Sequence, residues 1–448
     1  MKSLVIGAGK SGKSAIKLLK KLGYTTFLID DKKTCLTEHL KEKLLKDLDL
    51  VVVSPGVPLD NSFVQEISNK GIEIIGEFEL GARLLRCKSI AITGTNGKTT
   101  TTSLVGHILS ESGESTFVGG NIGVPVSSFC LQTKNDDVSV LEVSSFQLES
   151  SPLFRPHIAA ILNITPDHLN RHKTMENYIK AKLNIFKNQT YKDYAVINLD
   201  DEILSQQDFS FVKSEIYYFS TKVECKGCYV KNGCIYFNDG VVSQFVMRTA
   251  DISLKGEHNL SNVLAGLLCV ILYGLPLAGL SGFVKSFQGV SHRLEFVAEI
   301  NGVSFINDSK ATNISSTLVA MKAMTEHTTV ILGGSDKGCE FDELFESVPV
   351  LIKNFVVIGE TKQKILAAAA RKNVSNVYAC QTFKEAINFA YELSESGECV
   401  LLSPACASFD MFSNFEERGK AFSKFVKELE KSENRKISNK EGKKTAKG

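Results

Sequence analysis

Residues 90–102 read Ile90-Ala-Ile-Thr-Gly94-Thr-Asn-Gly97-Lys98-Thr99-Thr-Thr-Thr102. The apolar start predicts a buried strand, residues 94–97 a glycine loop, and Lys98 with Thr99 the opening of a helix. Loop glycines let backbone N–H groups approach a polyphosphate without interference from a Cβ, and a helix N-terminus adds partial positive charge. From that position Lys98 reaches terminal phosphates and the Thr99 hydroxyl can ligate Mg²⁺. Gly94, Thr95, Asn96, Gly97, Lys98, Thr99 and Thr100 are therefore the expected phosphate binders. Only Thr95 and Asn96 separate the two glycines, a shorter loop than the usual G-x-x-x-x-G-K-[ST].

Around this loop, 448 residues allow about three domains. A hydrophobic content of 43% and a charged content of 23% describe an ordinary globular chain. Fifty-two basic and 50 acidic residues leave a net charge of +2, so bulk charge points to no nucleic-acid or membrane partner. The start, Met1-Lys-Ser-Leu-Val-Ile-Gly7, reads as a strand running into glycines rather than a signal peptide. Residues 263–283 carry no charge and are about long enough to cross a bilayer. Gly274, Pro276, Gly279 and Gly282 interrupt them, which predicts a buried helix ending near Tyr273 and a second short helix after Pro276. A cytoplasmic protein is expected. Eleven cysteines, an odd number spread over apolar positions, fit reduced thiols. Cys225-Lys-Gly-Cys228 with Cys234 lacks the fourth ligand of a zinc set and reads as a hairpin.

An α/β fold with three domains and a tail is expected. Residues 1–87 alternate strand and helix as a Rossmann-like domain, with strands at 3–6, 26–29 and 50–54. Residues 88–290 form a central P-loop ATPase-like domain, with further buried strands at 138–143 and 158–164. An antiparallel meander is expected over 194–254, turning at Asn232-Gly233 and Asp239-Gly240. A second Rossmann-like domain covers 291–430, with strands at 303–306, 328–332, 354–358 and 400–402. Residues 431–448 are Lys-rich and apolar-poor, and are expected to be a disordered basic tail.

Several polar sets sit where strands end. Gly7-Ala-Gly-Lys-Ser-Gly12, followed by Asp30 and Asp31, taken alone suggests dinucleotide binding and an NAD(P)-dependent oxidoreductase. Glu142 ends an apolar strand beside the phosphate loop, where a carboxylate meets nucleotide-bound Mg²⁺ or is simply solvated. Asp167-His168 follows another strand, as a structural histidine or a metal ligand. Lys182 lies in Tyr178-Ile-Lys-Ala-Lys182, and helical pattern alone puts it on the surface. Asn259 and Asn262, three residues apart, share one helix face and suit an adenine edge or a helix cap. Arg293 follows an expected interdomain joint, from which a guanidinium can reach a phosphoryl group. Residues 307–313, 333–338 and 403–410 each follow a strand, and three polar loops at one sheet edge describe a binding site.

Together the motifs at 94–99, 142–147, 167–169, 256–262, 292–293, 307–313 and 403–410 resemble the Mur ligase family over roughly residues 1–430. Within it they are most like the branch that adds D-glutamate. The resemblance implies ATP-dependent amide ligation through an acyl phosphate, with UDP-N-acetylmuramoyl-L-alanine, D-glutamate and ATP as substrates. A sibling adding another amino acid, or a folylpolyglutamate synthase, is the alternative within this chemistry. The resemblance also implies roles for individual residues. Thr99, Glu142, His168 and an N-carbamylated Lys182 would hold two Mg²⁺, and Lys98, His168, Lys182 and Arg293 would be catalytic. Asn259, Asn262, Arg293 and Asp308 would join the loop residues on ATP. Gly9, Lys10, Ser11, Asp31, Lys32, Ser54, Asn121 and His168 would take the UDP substrate. Lys310, Thr312, Lys337, Ser408, Phe409 and Phe415 would take D-glutamate. A monomer is expected.

Overall fold

The computed structural model describes residues 1–30, 45, 47–254, 256–287, 289, 292–336 and 338–445, so the expectations for Asp31, Lys32 and Lys337 fall outside the described residues. The chain divides into two compact units, Met1–Leu254 with His258–Gln288, and Lys255–Glu257 with Gly289–Gly448.

The first unit contains two sheets. Strands β1 (Lys2–Ile6), β2 (Thr25–Ile29), β3 (Leu50–Val53) and β4 (Glu73–Gly76) form a parallel sheet in the order β2-β1-β3-β4. Leu4, Val5, Val51 and Val52 are fully buried, the continuous apolar run that a sheet covered on both faces requires. The larger sheet comprises β5 (Lys88–Thr93), β6 (Thr116–Gly120), β7 (Val138–Glu142), β8 (Ile158–Ile161), β9 (Tyr194–Asn198), β10 (Glu215–Ser220), β11 (Gly227–Lys231), β12 (Cys234–Asn238) and β13 (Ser243–Arg248). Its order is β13-β12-β11-β10-β9-β8-β5-β7-β6. Because β5 lies parallel between β7 and β8, the chain leaves all three at the same edge.

The expected antiparallel meander over 194–254 needs correction. β9 extends the parallel sheet beside β8, β10 follows it in parallel, and β11 also pairs parallel with β10. Only β11-β12-β13 run antiparallel. Asn232 and Gly233, both at positive φ, build the tight hairpin between β11 and β12. Earlier, Gly227 lets the chain pass close to β10: a Cβ there would stand 1.9 Å from the Tyr218 carbonyl oxygen.

The second unit is a six-stranded sheet of β14 (Glu295–Ile300), β15 (Val303–Asn307), β16 (Thr328–Gly333), β17 (Ile352–Ile358), β18 (Val377–Ala379) and β19 (Cys399–Leu402). Its order is β14-β15-β19-β16-β17-β18, and only β14 runs antiparallel. β15, β16, β17 and β19 are the four expected strands.

Residues 263–283 fold as anticipated, into the helix Glu257–Tyr273 and a short helix Leu280–Ser286. Among the described residues no helix is long and apolar enough to cross a membrane. The tail differs from expectation, because the helix Phe415–Thr445 runs through most of it. Its first turns are docked by Phe422 and Val426, both fully buried. Once that nucleus exists, a Lys- and Glu-rich sequence without proline extends a helix at little cost. The ten described cysteines are free thiols, and Cys339 is the exposed one. Burial pushes Cys130 and Cys406 up to about 11 and Cys225 up to about 12.

Candidate active site

β5 is apolar and fully buried at Ile90, Ala91 and Ile92, and it delivers residues 94–97 to the sheet edge. Gly97 caps the helix Lys98–Glu111 at φ 84°, contributing no side-chain cap, and the first turn carries no acidic residue. A Cβ on Gly97 would stand 2.2 Å from Asn262 Oδ1, so the loop needs glycine for close approach as well as for backbone angle. Asn163 fixes the loop from the next strand: its side-chain oxygen accepts from Asn96 N at 2.8 Å and its Nδ2 donates to Asn96 O at 3.1 Å. Thr95 Oγ1 lies 3.0 Å from the Tyr178 hydroxyl. Lys98 Nζ folds back onto the loop, donating to Gly94 O at 2.9 Å and Thr95 O at 2.7 Å. Asn259 and Asn262 are buried and bonded to each other at 3.2 Å. Asn262 thus backs the phosphate loop.

Glu142, at the end of β7, is 2% exposed. Its Oε2 accepts from Thr99 Oγ1 at 2.7 Å and its Oε1 from Asn121 Nδ2 at 2.8 Å. Among the described residues no three His, Cys, Asp or Glu side chains gather as a metal cluster. The carboxylate and hydroxyl of Glu142 and Thr99 nevertheless suit Mg²⁺, a hard ion that takes one or two protein oxygens and completes its shell with phosphate and water.

Lys182 corrects the surface reading. It is 2% exposed and donates to the same Gly94 carbonyl at 2.6 Å, its Nζ 4.8 Å from the Tyr178 ring centre. Burial, reinforced by the charge of Lys98, pulls its pKa well below the usual lysine value, against the opposing pull of Asp167 and Glu142. A neutral amine is the form that suits such a site. Mg²⁺ takes oxygen ligands, so Lys182 fits such a set only after gaining oxygen donors. His168 begins a short helix at φ 55°, with its side chain 44% exposed and its ring 4.9 Å from that of Phe146.

In the four-stranded part, Gly9 caps the helix Lys10–Lys21. Lys10 Nζ donates to the Gly123 carbonyl, and Ser54 Oγ to the Gly7 carbonyl at 3.1 Å. Gly123 and Asn121 share one loop after β6, so Lys10, Asn121 and Glu142 form a continuous polar edge. Glu77 lies beneath it, 1% exposed, and accepts from Ser127 N at 2.9 Å and from Ser127 Oγ. Burial raises its pKa, while Ser127 and Ser11 pull it down.

The second unit gathers its three loops at one edge. Ser403 Oγ donates to Asp308 Oδ2 at 2.8 Å, Gly333 N to Pro404 O at 2.8 Å, and Ser335 bridges to Ala407. Asp308 is buried, which raises its pKa to about 7 although Arg293 opposes the shift. Lys310 Nζ lies 5.4 Å from the Phe415 ring centre. Thr312 is half-buried just before the helix Ile314–Lys322, Ser408 is buried, and Phe409 is 73% exposed.

Sequence comparison bears on the same residues. Residues 1–76 match the Mur ligase MurD-like N-terminal domain, 92–270 the Mur ligase middle domain, and 292–406 the Mur ligase glutamate ligase domain. The chain belongs to the Mur ligase family. A UDP-N-acetylmuramoylalanine–D-glutamate ligase of Alkaliphilus oremlandii is 45% identical, with 95% of this chain and 98% of the relative covered. The protein of that name from Clostridioides difficile is 43% identical over 96% and 98%. Among solved Mur ligases, the UDP-N-acetylmuramate–alanine ligase of Thermotoga maritima superposes with a TM-score of 0.62 at 19% identity, covering 96% of this chain and all of that one. The MurF ligase of the same organism, solved with ADP, gives 0.59 at 16% identity, over 95% of each chain. These neighbours share the three-domain α/β fold.

Within this Mur ligase, sequence reasoning overlooked Arg418. It is fully buried, donating to Ser309 Oγ at 3.0 Å and to the Ser309, Cys406 and Ala407 carbonyls at 2.9–3.2 Å. Burial lowers its pKa to about 10. Two of the three loops are stapled by this one guanidinium. It stands one helical turn after Asn414, outside every motif named above.

Proposed function

We propose that the protein is an ATP-dependent ligase that joins D-glutamate to UDP-N-acetylmuramoyl-L-alanine in the cytoplasm, as a monomer with no nucleic-acid or membrane partner. The reading rests on the Thr99–Glu142–Asn121 set beside the phosphate loop, in a chain 45% identical to a ligase of that name. Residues 1–87 take the uridine diphosphate through Gly9, Lys10, Ser11, Ser54 and Asn121, with Asp31, Lys32 and His168 completing the set. Residues 88–290 take ATP on the 94–100 loop, Asn259 and Asn262, and residues 291–430 bring Arg293, Asp308 and the D-glutamate groups Lys310, Thr312, Lys337, Ser408, Phe409 and Phe415.

In the first step the L-alanyl carboxylate attacks the γ-phosphorus and ADP leaves, giving an acyl phosphate. In the second the D-glutamate amine attacks the acyl carbon, the amide forms, phosphate leaves and the amine proton is released. Lys98 and the amides of the Lys98–Glu111 helix hold the phosphates, and Arg293 neutralises charge on the phosphoryl group in flight. Mg²⁺, held by Thr99 with Glu142 and by His168 with Lys182, supplies further charge neutralisation when bound. The neutral Lys182 amine can add CO₂ with loss of a proton, gaining the carboxylate oxygens its own nitrogen lacks.

Phosphate release measured over a matrix of UDP-linked acceptors and amino acids tests the reading. Turnover is expected only with UDP-N-acetylmuramoyl-L-alanine and D-glutamate together. Another required amino acid, or hydride transfer to NAD(P) without ATP turnover, overturns it.

A further inference from the structure

One buried histidine belongs to none of these roles. His172 is 4% exposed and ends the short helix that His168 begins. Its Nε2 lies 2.9 Å from Ser145 Oγ and its Nδ1 3.0 Å from Glu149 Oε1. Ser145 and Glu149 are the two ends of the helix that follows β7 and Glu142. The order Ser–His–Glu has the spacing of a hydrolytic triad. Ser145 is only 2% exposed, however, and the imidazole is clasped between rings, so no acyl group can reach the hydroxyl.

The rings show what this set is for. His172 stacks on Phe146 with centres 5.4 Å apart and tilts onto Tyr178 at 5.0 Å. On its other contacts Phe146 meets the His168 ring at 4.9 Å and the Arg171 guanidinium at 5.1 Å. Tyr178 has its hydroxyl 3.0 Å from Thr95 Oγ1 in the phosphate loop and its ring against Lys182 Nζ. One imidazole therefore sets both aromatic surfaces on which His168 and Lys182 rest.

We infer that His172, held by Ser145 and Glu149, is a positioning residue that fixes His168 and Lys182 relative to the phosphate loop. The inference rests on the proposed roles of those two residues. The ring is anchored by Ser145 at Nε2, faces the Glu149 carboxylate with Nδ1 without a well-aligned hydrogen bond, and is held between Phe146 and Tyr178. Partners of this kind, one shell behind ligating groups, typically change affinity or activity about 10–100-fold when removed. A cavity of about 380 Å³ lies beside the set, lined by His172 together with Glu149, Arg171, Lys173 and Asn177. It is large enough to admit an imidazole molecule to the space a truncated His172 leaves.

The test uses the full chain with His172→Ala and His172→Gln, first confirming folding by circular dichroism and Tm. The expected result for His172→Ala is a kcat about 10–100-fold lower with little change in the D-glutamate KM, recovering several-fold on adding imidazole. Independently of turnover, ¹³C-labelled bicarbonate should give a carbamate resonance in the wild type that half-saturates at a higher bicarbonate concentration in the variant. His172→Gln should fall between, since an amide keeps one polar contact and loses the ring. Normal kcat in folded His172→Ala overturns the inference, as does a loss that imidazole does not relieve while carbamate formation stays unchanged. If the wild type itself fails to turn over the predicted substrates, the proposed function fails, and the carbamate titration alone decides this inference.

Discussion

Lys98 and Lys182 point at one oxygen, the Gly94 carbonyl, yet only Lys98 is readable as functional from its position. A lysine directly after a loop glycine at a helix start has phosphate as its natural partner. For Lys182 the helical pattern reads as a surface position, and only the family resemblance gives it a role. Tyr178, Ala181, Lys182 and Ile185 share one helical stripe and all are buried, a face on which the pattern reading places no charged side chain. Lys98→Ala should abolish phosphate release while leaving Tm within a few degrees of wild type, since charged hydrogen bonds contribute about 1.5–3 kcal/mol and more where charge develops in the transition state. Near-normal turnover of the folded variant would remove Lys98 from the phosphate site. Asp308 carries a pH prediction. Its folded value of about 7 lies above the ordinary 3.8, so between these values the folded state holds a proton that the unfolded state has lost. That contribution to stability is present at low pH and disappears as pH rises through about 7. Asp308→Asn removes it, and the Tm of the variant minus that of wild type should grow between pH 5 and pH 8. A difference independent of pH means that Asp308 titrates normally.

At the scale of elements, most strands that sequence pattern located are buried ones, although β2, also expected, is largely exposed. Ile90, Val140 and Ile158 sit in apolar runs that only a doubly covered parallel sheet explains. Four strands escaped notice for physical reasons. β4 ends in Gly76 after two isoleucines, β6 ends in Gly119-Gly120, and β18 is three residues long and largely exposed. β14 is an edge strand whose register shifts between Phe296 and Ala298, which blurs its alternation. The phosphate-loop turn was legible because glycine there is a backbone requirement. Gly97→Ala should cost about 1–2 kcal/mol from positive φ alone, and the contact with Asn262 adds to it. Calorimetry should show ATP affinity reduced at least tenfold in this variant, and retained affinity would show that the loop tolerates a Cβ by shifting.

The whole molecule is less evenly built than its composition suggests. Seven of the last eighteen residues are lysine or arginine and two are glutamate, so the remainder is slightly acidic although the chain totals +2. Sequence hydropathy puts the end of the third domain at residue 430, and in the helix Phe415–Thr445 Phe422 and Val426 are buried in the core with Leu429 packed against it. It could not see that an extended helix costs little once started. A chain ending at Glu430 should keep its turnover, and its stability should change by about 0.5 kcal/mol or less, as for changes to surface residues. A drop in either would assign the basic segment a role. The distribution of thiols has a practical side. Burial suppresses thiolate formation at Cys130, Cys225 and Cys406, whereas Cys339 stands exposed beside Gly338, at the rim of the loop that follows β16. Among the described thiols, a maleimide dye at neutral pH should couple there first. The wild-type sequence thus offers a fluorescent reporter on the loop after β16 without any engineered cysteine, and ordering of that loop can be followed in real time.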